Sequence, residues 1–276
     1  MVKGEKLIRL MRSWPRDAIL TTEWLVDEGY STSLLQQYSR LGWIQLVGKG
    51  AYRRGPRAQS EDAPFPLQNA LPSLTWQGGV YALQALQLDW TRPVPPVLVA
   101  ARSALELAGF SHFLNLSGKE TLWLFVDPTY RVPSWFKNCA WGVSVRFHAP
   151  SLFSRDLKDS ISQKNWGPFV TLYSCPERAI MELLELCPQV ETLEHAKLMM
   201  EGLATLRPQV AQELLEACTS IKVKRLFLAL TDLCNHAWRS ELDEKKLDLG
   251  SGPRILAPDL GFHPRYRISV PKEEAS

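Results

Sequence analysis

The chain has 276 residues, 45% of them hydrophobic and 22% charged, with a net charge of +3. That length accommodates a sizeable core in one large domain or two smaller ones, and that balance excludes an intrinsically disordered chain. No apolar run approaches the roughly 18 residues of a membrane span, and Met1 to Trp14 is charged and amphipathic without the apolar stretch of a secretory signal, so a cytoplasmic protein is expected.

Lys3 to Trp14 reads as a first helix, with Leu7, Ile8, Leu10 and Met11 on or near one face and Pro15 as its stop. Thr21 or Thr22 then caps a second helix, whose end Gly29 suits because it takes positive φ without a Cβ clash. Ser31 is a fresh cap. Leu34, Leu35, Tyr38 and Leu41 follow at helical spacing and form one apolar stripe, ended by Gly42. The opposite face holds Thr32, Ser33, Gln36, Gln37 and Arg40. These polar groups donate to and accept from base edges, and no acid stands among them. Trp43 to Val47 is rich in strand formers, Gly48-Lys49-Gly50 is a turn, and Ala51 to Arg54 returns. Helix, turn, helix and basic hairpin is the layout of a winged helix-turn-helix, in which the second helix of the pair enters the major groove.

Charge supports a DNA-binding reading. Residues 1–57 carry ten Lys/Arg against five Asp/Glu, while the remaining chain carries 22 against 24. From Arg40 to Arg57 five basic residues occur without an acid. Phosphate contact requires positive charge at that place. The candidate DNA-binding set is therefore Thr32, Ser33, Gln36, Gln37 and Arg40 toward bases, with Lys49, Tyr52, Arg53 and Arg54 on the hairpin toward the backbone. Arg9, Arg12 and Arg16 are either flanking phosphate contacts or solvated helix arginines.

Gly55 to Pro66, with three prolines, Ser, Gln and two acids, reads as a linker. The division is 1–57 as the DNA-binding domain, 58–66 as linker and 67–276 as a larger mixed α/β domain. In that domain Gln77 to Leu88 reads as a helix opening on glycines. Pro96 to Ala101, Thr121 to Val126, Trp141 to Phe147 and Phe169 to Tyr173 read as strands of a covered sheet. Ser174-Cys175-Pro176-Glu177 starts a helix with a serine cap and an early proline, and Ile180, Leu183, Leu184 and Cys187 form its core stripe. Helices are expected near Thr192 to Leu206, Gln209 to Ser220 and Lys222 to Trp238, the last buried along Leu226, Leu230, Leu233 and Ala237. Arg265 to Val270 reads as a final strand. The fold class is α+β, with helices gathered toward the C-terminus.

No catalytic constellation emerges. Five histidines are scattered, and HExxH, CxxC, GxSxG and phosphate-loop patterns do not occur. Cys234 and His236, two apart on an expected helix, point to different faces and make a poor metal pair. The acid pairs Glu182/Glu185 and Asp156/Asp159 read as solvated faces, the ten tryptophans as packing and the five cysteines as reduced, mostly buried thiols. No enzyme activity, metal or cofactor is expected.

The string EGYSTSLLQQYSRLGWIQLVGKGAYRR, the GGVYALQAL helix, SCPERAIMELLEL and LGSGPRILA…RYRISVP together resemble the AbiEi antitoxins of type IV toxin–antitoxin systems. The resemblance spans most of the chain and is most specific in GWIQLVGKGAYRR and SCPERAIMELLEL. It implies an abortive-infection autorepressor that binds inverted repeats of double-stranded DNA in its own promoter. It also implies a second domain that counters a nucleotidyltransferase-like toxin without a stable complex. The alternative is a stand-alone regulator whose larger domain binds an effector or protein partner. An enzyme on a cryptic α/β site is the third reading.

Overall fold

The computed structural model describes residues 3–60, 73–85, 94–110 and 120–272. Helix α1 (Lys3–Ser13) leads through Pro15 to β1 (Leu20–Thr21), α2 (Thr22–Asp27) and α3 (Thr32–Arg40). Strands β2 (Ile44–Gly48) and β3 (Ala51–Arg54) follow, and the three strands form one antiparallel sheet in the order β1-β3-β2. The caps read from the sequence are in place. Thr21 accepts from the Trp24 amide at 3.3 Å and Ser31 from the Leu34 amide at 3.3 Å. Gly29 and Gly42 end their helices at φ +86 and +78. Leu10, Trp14, Leu25, Tyr30, Leu35, Tyr38 and Ile44 form the core beneath. The expected stripe on α3 is narrower than its spacing implied: Leu41 follows the helix and is exposed.

A short helix α4 (Pro56–Ser60) occupies the start of the predicted linker, and residues 61–66 lie outside the described residues. Helix α5 (Trp76–Ala85) covers most of the predicted Gln77 to Leu88, the rest of which is also outside them. The larger lobe continues with β4 (Val97–Val99), α6 (Ala101–Leu107), β5 (Thr121–Val126), α7 (Ser134–Asn138), β6 (Ser144–His148), β7 (Ile161–Asn165) and β8 (Val170–Ser174). These strands make a five-stranded mixed sheet in the order β6-β5-β4-β8-β7. The pairs β4–β5 and β7–β8 are antiparallel; β5–β6 and β4–β8 are parallel. Strand β7 escaped the sequence reading because Ile161-Ser162-Gln163-Lys164-Asn165 is a polar edge strand with no buried position. Helices α8 (Pro176–Leu186), α9 (Leu193–Glu201), α10 (Pro208–Ala217) and α11 (Ile221–Cys234) pack behind, with α8 against α6 and α11. A two-stranded ribbon of β9 (Gly261–His263) and β10 (Ile268–Val270) closes against α11, so the final strand is shorter than the predicted Arg265 to Val270.

Several local readings are corrected. Ser174 does not cap α8. Cys175 holds that position without a side-chain cap, and the Ser174 hydroxyl instead donates to Glu182 at 3.0 Å. Glu182 is not on a solvated face but fully buried, accepting also from Arg178 Nε at 2.7 Å and from the Ala101 amide at 3.1 Å. The last long helix stops at Cys234 because Asn235 adopts left-handed backbone at φ 53, which leaves Ala237 exposed beyond it. Cys234 and His236 are thereby split between helix end and loop, and His236 bonds the Met200 carbonyl at 2.7 Å. Cys175, Cys187 and Cys218 are buried, Cys139 and Cys234 half-buried, and all five are free thiols.

The first sixty residues and the larger lobe share packing. Phe169 belongs to the N-terminal core, with Tyr81 5.0 Å away in ring-centroid distance, while Ile19 and Ala51 belong to the large core. The Ile19 amide donates to the Gly78 carbonyl at 3.4 Å. A Cβ on Gly78 would stand 2.0 Å from the Asp17 carbonyl oxygen, and one on Gly79 2.6 Å from the Trp141 ring. The adjacent glycines of α5 therefore serve close approach of backbone and rings.

Candidate nucleic-acid interface

The amphipathic split of α3 sets the site. Leu35 and Tyr38 seat the helix on the core, and Thr32, Ser33, Gln36, Gln37 and Arg40 are all exposed on its other side. The Ser31 cap and Ser33 hydroxyls lie 3.0 Å apart at the helix start. That cap contributes about 1 kcal/mol to the turn from which these side chains project. Among the described residues nothing covers this row.

The hairpin treats its basic residues differently. Lys49, at the turn between β2 and β3, is exposed. Tyr52 is half-buried against the N-terminal core. The Arg53 Nε donates to Gln45 Oε1 at 2.8 Å across the β2–β3 register. Burial lowers the pKa of the Arg53 guanidinium, against an opposing pull from Cys139 of the larger lobe. Arg54 reaches back to donate to the Met11 carbonyl in the last turn of α1, where a cation also meets the negative end of the helix dipole. The structure therefore brings Thr32, Ser33, Gln36, Gln37 and Arg40 together on one helix with Lys49 on the adjoining turn. It directs Tyr52, Arg53 and Arg54 into the protein framework. Sequence reasoning missed Gln45 as the partner that orients Arg53; strict two-residue alternation along β2 and β3 was the signal available.

The hairpin is also anchored from outside. Gly48 lies against α7 so closely that a Cβ there would meet Trp135 Cβ at 2.8 Å. The remaining exposed cations of this unit include Arg9 and Arg12 on α1 and Arg57, whose guanidinium lies 5.8 Å from the Trp43 ring and donates to the Leu41 carbonyl. Exposed acids gather on α2, at Glu23 and Asp27 with Glu28 at its C-cap. Negative charge thus sits on α2, and positive charge on α1, the end of α3 and the hairpin turn. Among the described residues no group of three or more His, Cys, Asp or Glu could hold a metal ion, and no helix is long and apolar enough to cross a membrane.

Two family descriptions match the chain end to end. One, a transcriptional regulator described as the AbiEi antitoxin N-terminal domain, matches residues 3–116. The other, described as a transcriptional regulator and AbiEi antitoxin of a type IV toxin–antitoxin system, matches residues 119–271. Among solved structures, the RV2827C protein from Mycobacterium tuberculosis is similar with a TM-score of 0.53 at 16% identity, over 96% of this chain and 89% of that one. That likeness speaks to fold alone. No curated protein matches the chain.

Proposed function

The chain belongs to the AbiEi antitoxin family of type IV toxin–antitoxin systems, and on that premise we propose that residues 1–57 form a winged helix-turn-helix that reads its own promoter and represses it. Helix α3 lies in the major groove. Arg40, Gln36 and Gln37 meet base edges, Arg with guanine and Gln with adenine by the usual bidentate geometry, and Thr32 and Ser33 support them. Lys49 touches phosphate at the hairpin turn, while Arg53 and Arg54 hold the hairpin in the posture that contact needs. The acids on α2 keep that helix off the phosphates and set the register. An inverted-repeat operator takes two copies of the chain. The larger lobe, residues 67–276, counters a nucleotidyltransferase-like toxin encoded beside it, without a stable complex.

The observation that supports this reading most is the exposed row Thr32, Ser33, Gln36, Gln37 and Arg40 on a helix seated on its other face by Leu35 and Tyr38. A mobility-shift titration with the promoter of the chain's own operon tests it. The Gln36/Gln37/Arg40 triple alanine, which touches no buried residue, loses the preference for promoter over scrambled duplex. At about 1–3 kcal/mol for each good base contact, that loss is at least tenfold. Unchanged preference in that variant ends the assignment.

A further inference from the structure

Beside the β4–β5 ladder of the larger lobe a cavity of about 360 Å³ opens, within the size range of small-molecule sites. Leu98 and Phe125, paired across that ladder, line it together with Phe153. One cation is built into its wall. The Arg178 side chain is only 13% exposed; its Nε donates to Glu182 at 2.7 Å, its Nη1 to Ser160 at 3.3 Å, and the guanidinium lies 4.9 Å from the Phe153 ring. Three contacts thus fix its orientation before any ligand arrives, so binding loses little entropy in ordering it. Among the described residues the remaining nitrogen, Nη2, makes no hydrogen bond. Glu182 uses only the Nε of Arg178, and receives hydrogen bonds from Ser174 and the Ala101 amide as well, so the pair leaves part of the guanidinium edge at the cavity.

The charge around the cavity selects the ligand. Glu182 already neutralises part of Arg178, and the rim carries Asp127 and Asp156 beside Arg155. A phosphate dianion meets about twice the repulsion from these carboxylates that a singly charged carboxylate does, and a carboxylate also pairs with guanidinium in a planar fork. We propose that this cavity binds a compact organic carboxylate with an apolar body, its carboxylate on Arg178 and its hydrocarbon part against Leu98 and Phe125. The chain thereby carries a small-molecule effector site on the larger lobe, lined by none of the residues assigned to DNA.

Saturation-transfer NMR on the full chain tests this with three probes: phenylacetate, its neutral isostere phenylacetamide, and the nucleotide AMP as a phosphate dianion. Phenylacetate binds roughly tenfold tighter than the amide, the difference between a charge-assisted and a neutral hydrogen bond, and AMP binds more weakly than phenylacetate. R178Q brings phenylacetate and phenylacetamide to equal affinity. That variant also removes the cationic partner of a buried carboxylate and endangers the fold. Ser154→Trp therefore provides a second arm: at an exposed position on the rim it fills the mouth, leaves Arg178 and Glu182 together, and abolishes phenylacetate binding. Equal binding of acid and amide to the wild-type chain, preference for AMP, no transfer to any probe, or full binding in S154W overturns the proposal.

Discussion

Replacing Glu182 by glutamine preserves its volume and removes its charge. In the structure that carboxylate is fully buried and accepts from Arg178 Nε at 2.7 Å, the Ser174 hydroxyl at 3.0 Å and the Ala101 amide at 3.1 Å. Ala101 sits at φ 48, a left-handed conformation that alanine rarely adopts, at the junction of β4 and α6. The glutamine keeps one acceptor oxygen where two carboxylate oxygens served three donors, and it turns its own N–H groups on at least one of them. Arg178 is left as a nearly buried cation without its counter-charge. Breaking one side of a buried pair costs roughly 3–5 kcal/mol. For a chain of this length each kcal/mol moves Tm by about 2–4 °C, so E182Q should melt on the order of 10 °C below wild type. The control is Glu201→Gln, since Glu201 is 45% exposed and lies 3.7 Å from Lys197. A surface pair of that kind contributes less than about 1 kcal/mol. Circular dichroism melts of the three proteins decide the matter. E182Q melting within about 2 °C of wild type, indistinguishable from E201Q, refutes the reasoning.

Further outcomes follow from the same coordinates. Gly78→Ala forces a Cβ to within 2.0 Å of the Asp17 carbonyl oxygen, between the first helices and the larger lobe. It should destabilise by about 1–3 kcal/mol in a urea titration, against alanine's better helix propensity of about 1 kcal/mol; a stabilised variant contradicts the docking. Lys49→Ala should leave the urea midpoint unchanged and lower the slope of log affinity for DNA against log salt by about one. Arg53→Ala should do the reverse, losing about 1–2 kcal/mol of stability with the salt slope intact, and an exchange of these two phenotypes contradicts the assigned roles. Stability should also fall toward acid. Burial raises the Glu177 carboxyl, but hydrogen bonds from Arg207 and Cys175 outweigh it and hold the group below its ordinary 4.5. Its contribution is complete above 4.5 and disappears as pH falls through the lower folded value. Burial lowers His148 and His263 from 6.5, so the unfolded chain protonates them first and stability already declines below that pH. Urea midpoints that peak near pH 5 contradict this, where pH is read in steps of about half a unit.

The N-terminal elements were legible because each begins and ends on residues with one local meaning. Thr21 and Ser31 cap, Gly29 and Gly42 take positive φ, and the alternation of Leu35 and Tyr38 with Gln36 and Gln37 is settled by helical period alone. The fate of the hairpin arginines was not legible, because it depends on partners outside their own strand. Arg54 answers to Met11 of α1, and Arg53 to Gln45 on the facing strand. The family resemblance, carried by the wing and the SCPERAIMELLEL helix, agrees with the descriptions that match the chain. Within that helix Glu182 was misread for a physical reason. An acid at i,i+3 from another on an amphipathic helix is usually solvated, and only the meeting of Ser174, Ala101 and Arg178 around it makes burial tolerable. Strand β7 was invisible because a polar edge strand takes its structure from the neighbour it pairs with, here β8, and not from its own pattern.

The contact between α3 and DNA is tested most directly by photocross-linking from a benzoylphenylalanine placed at Gln37, with the same group at Val190 as the reference. Both positions are exposed, the first on the outer row of α3 and the second on the larger lobe. With the promoter duplex, the position-37 protein should cross-link to bases within the inverted repeat, and an excess of unlabelled promoter should compete where scrambled DNA does not. The position-190 protein should give none. Equal yields from the two positions, or no cross-link from position 37 under conditions where the promoter is bound, would contradict the account.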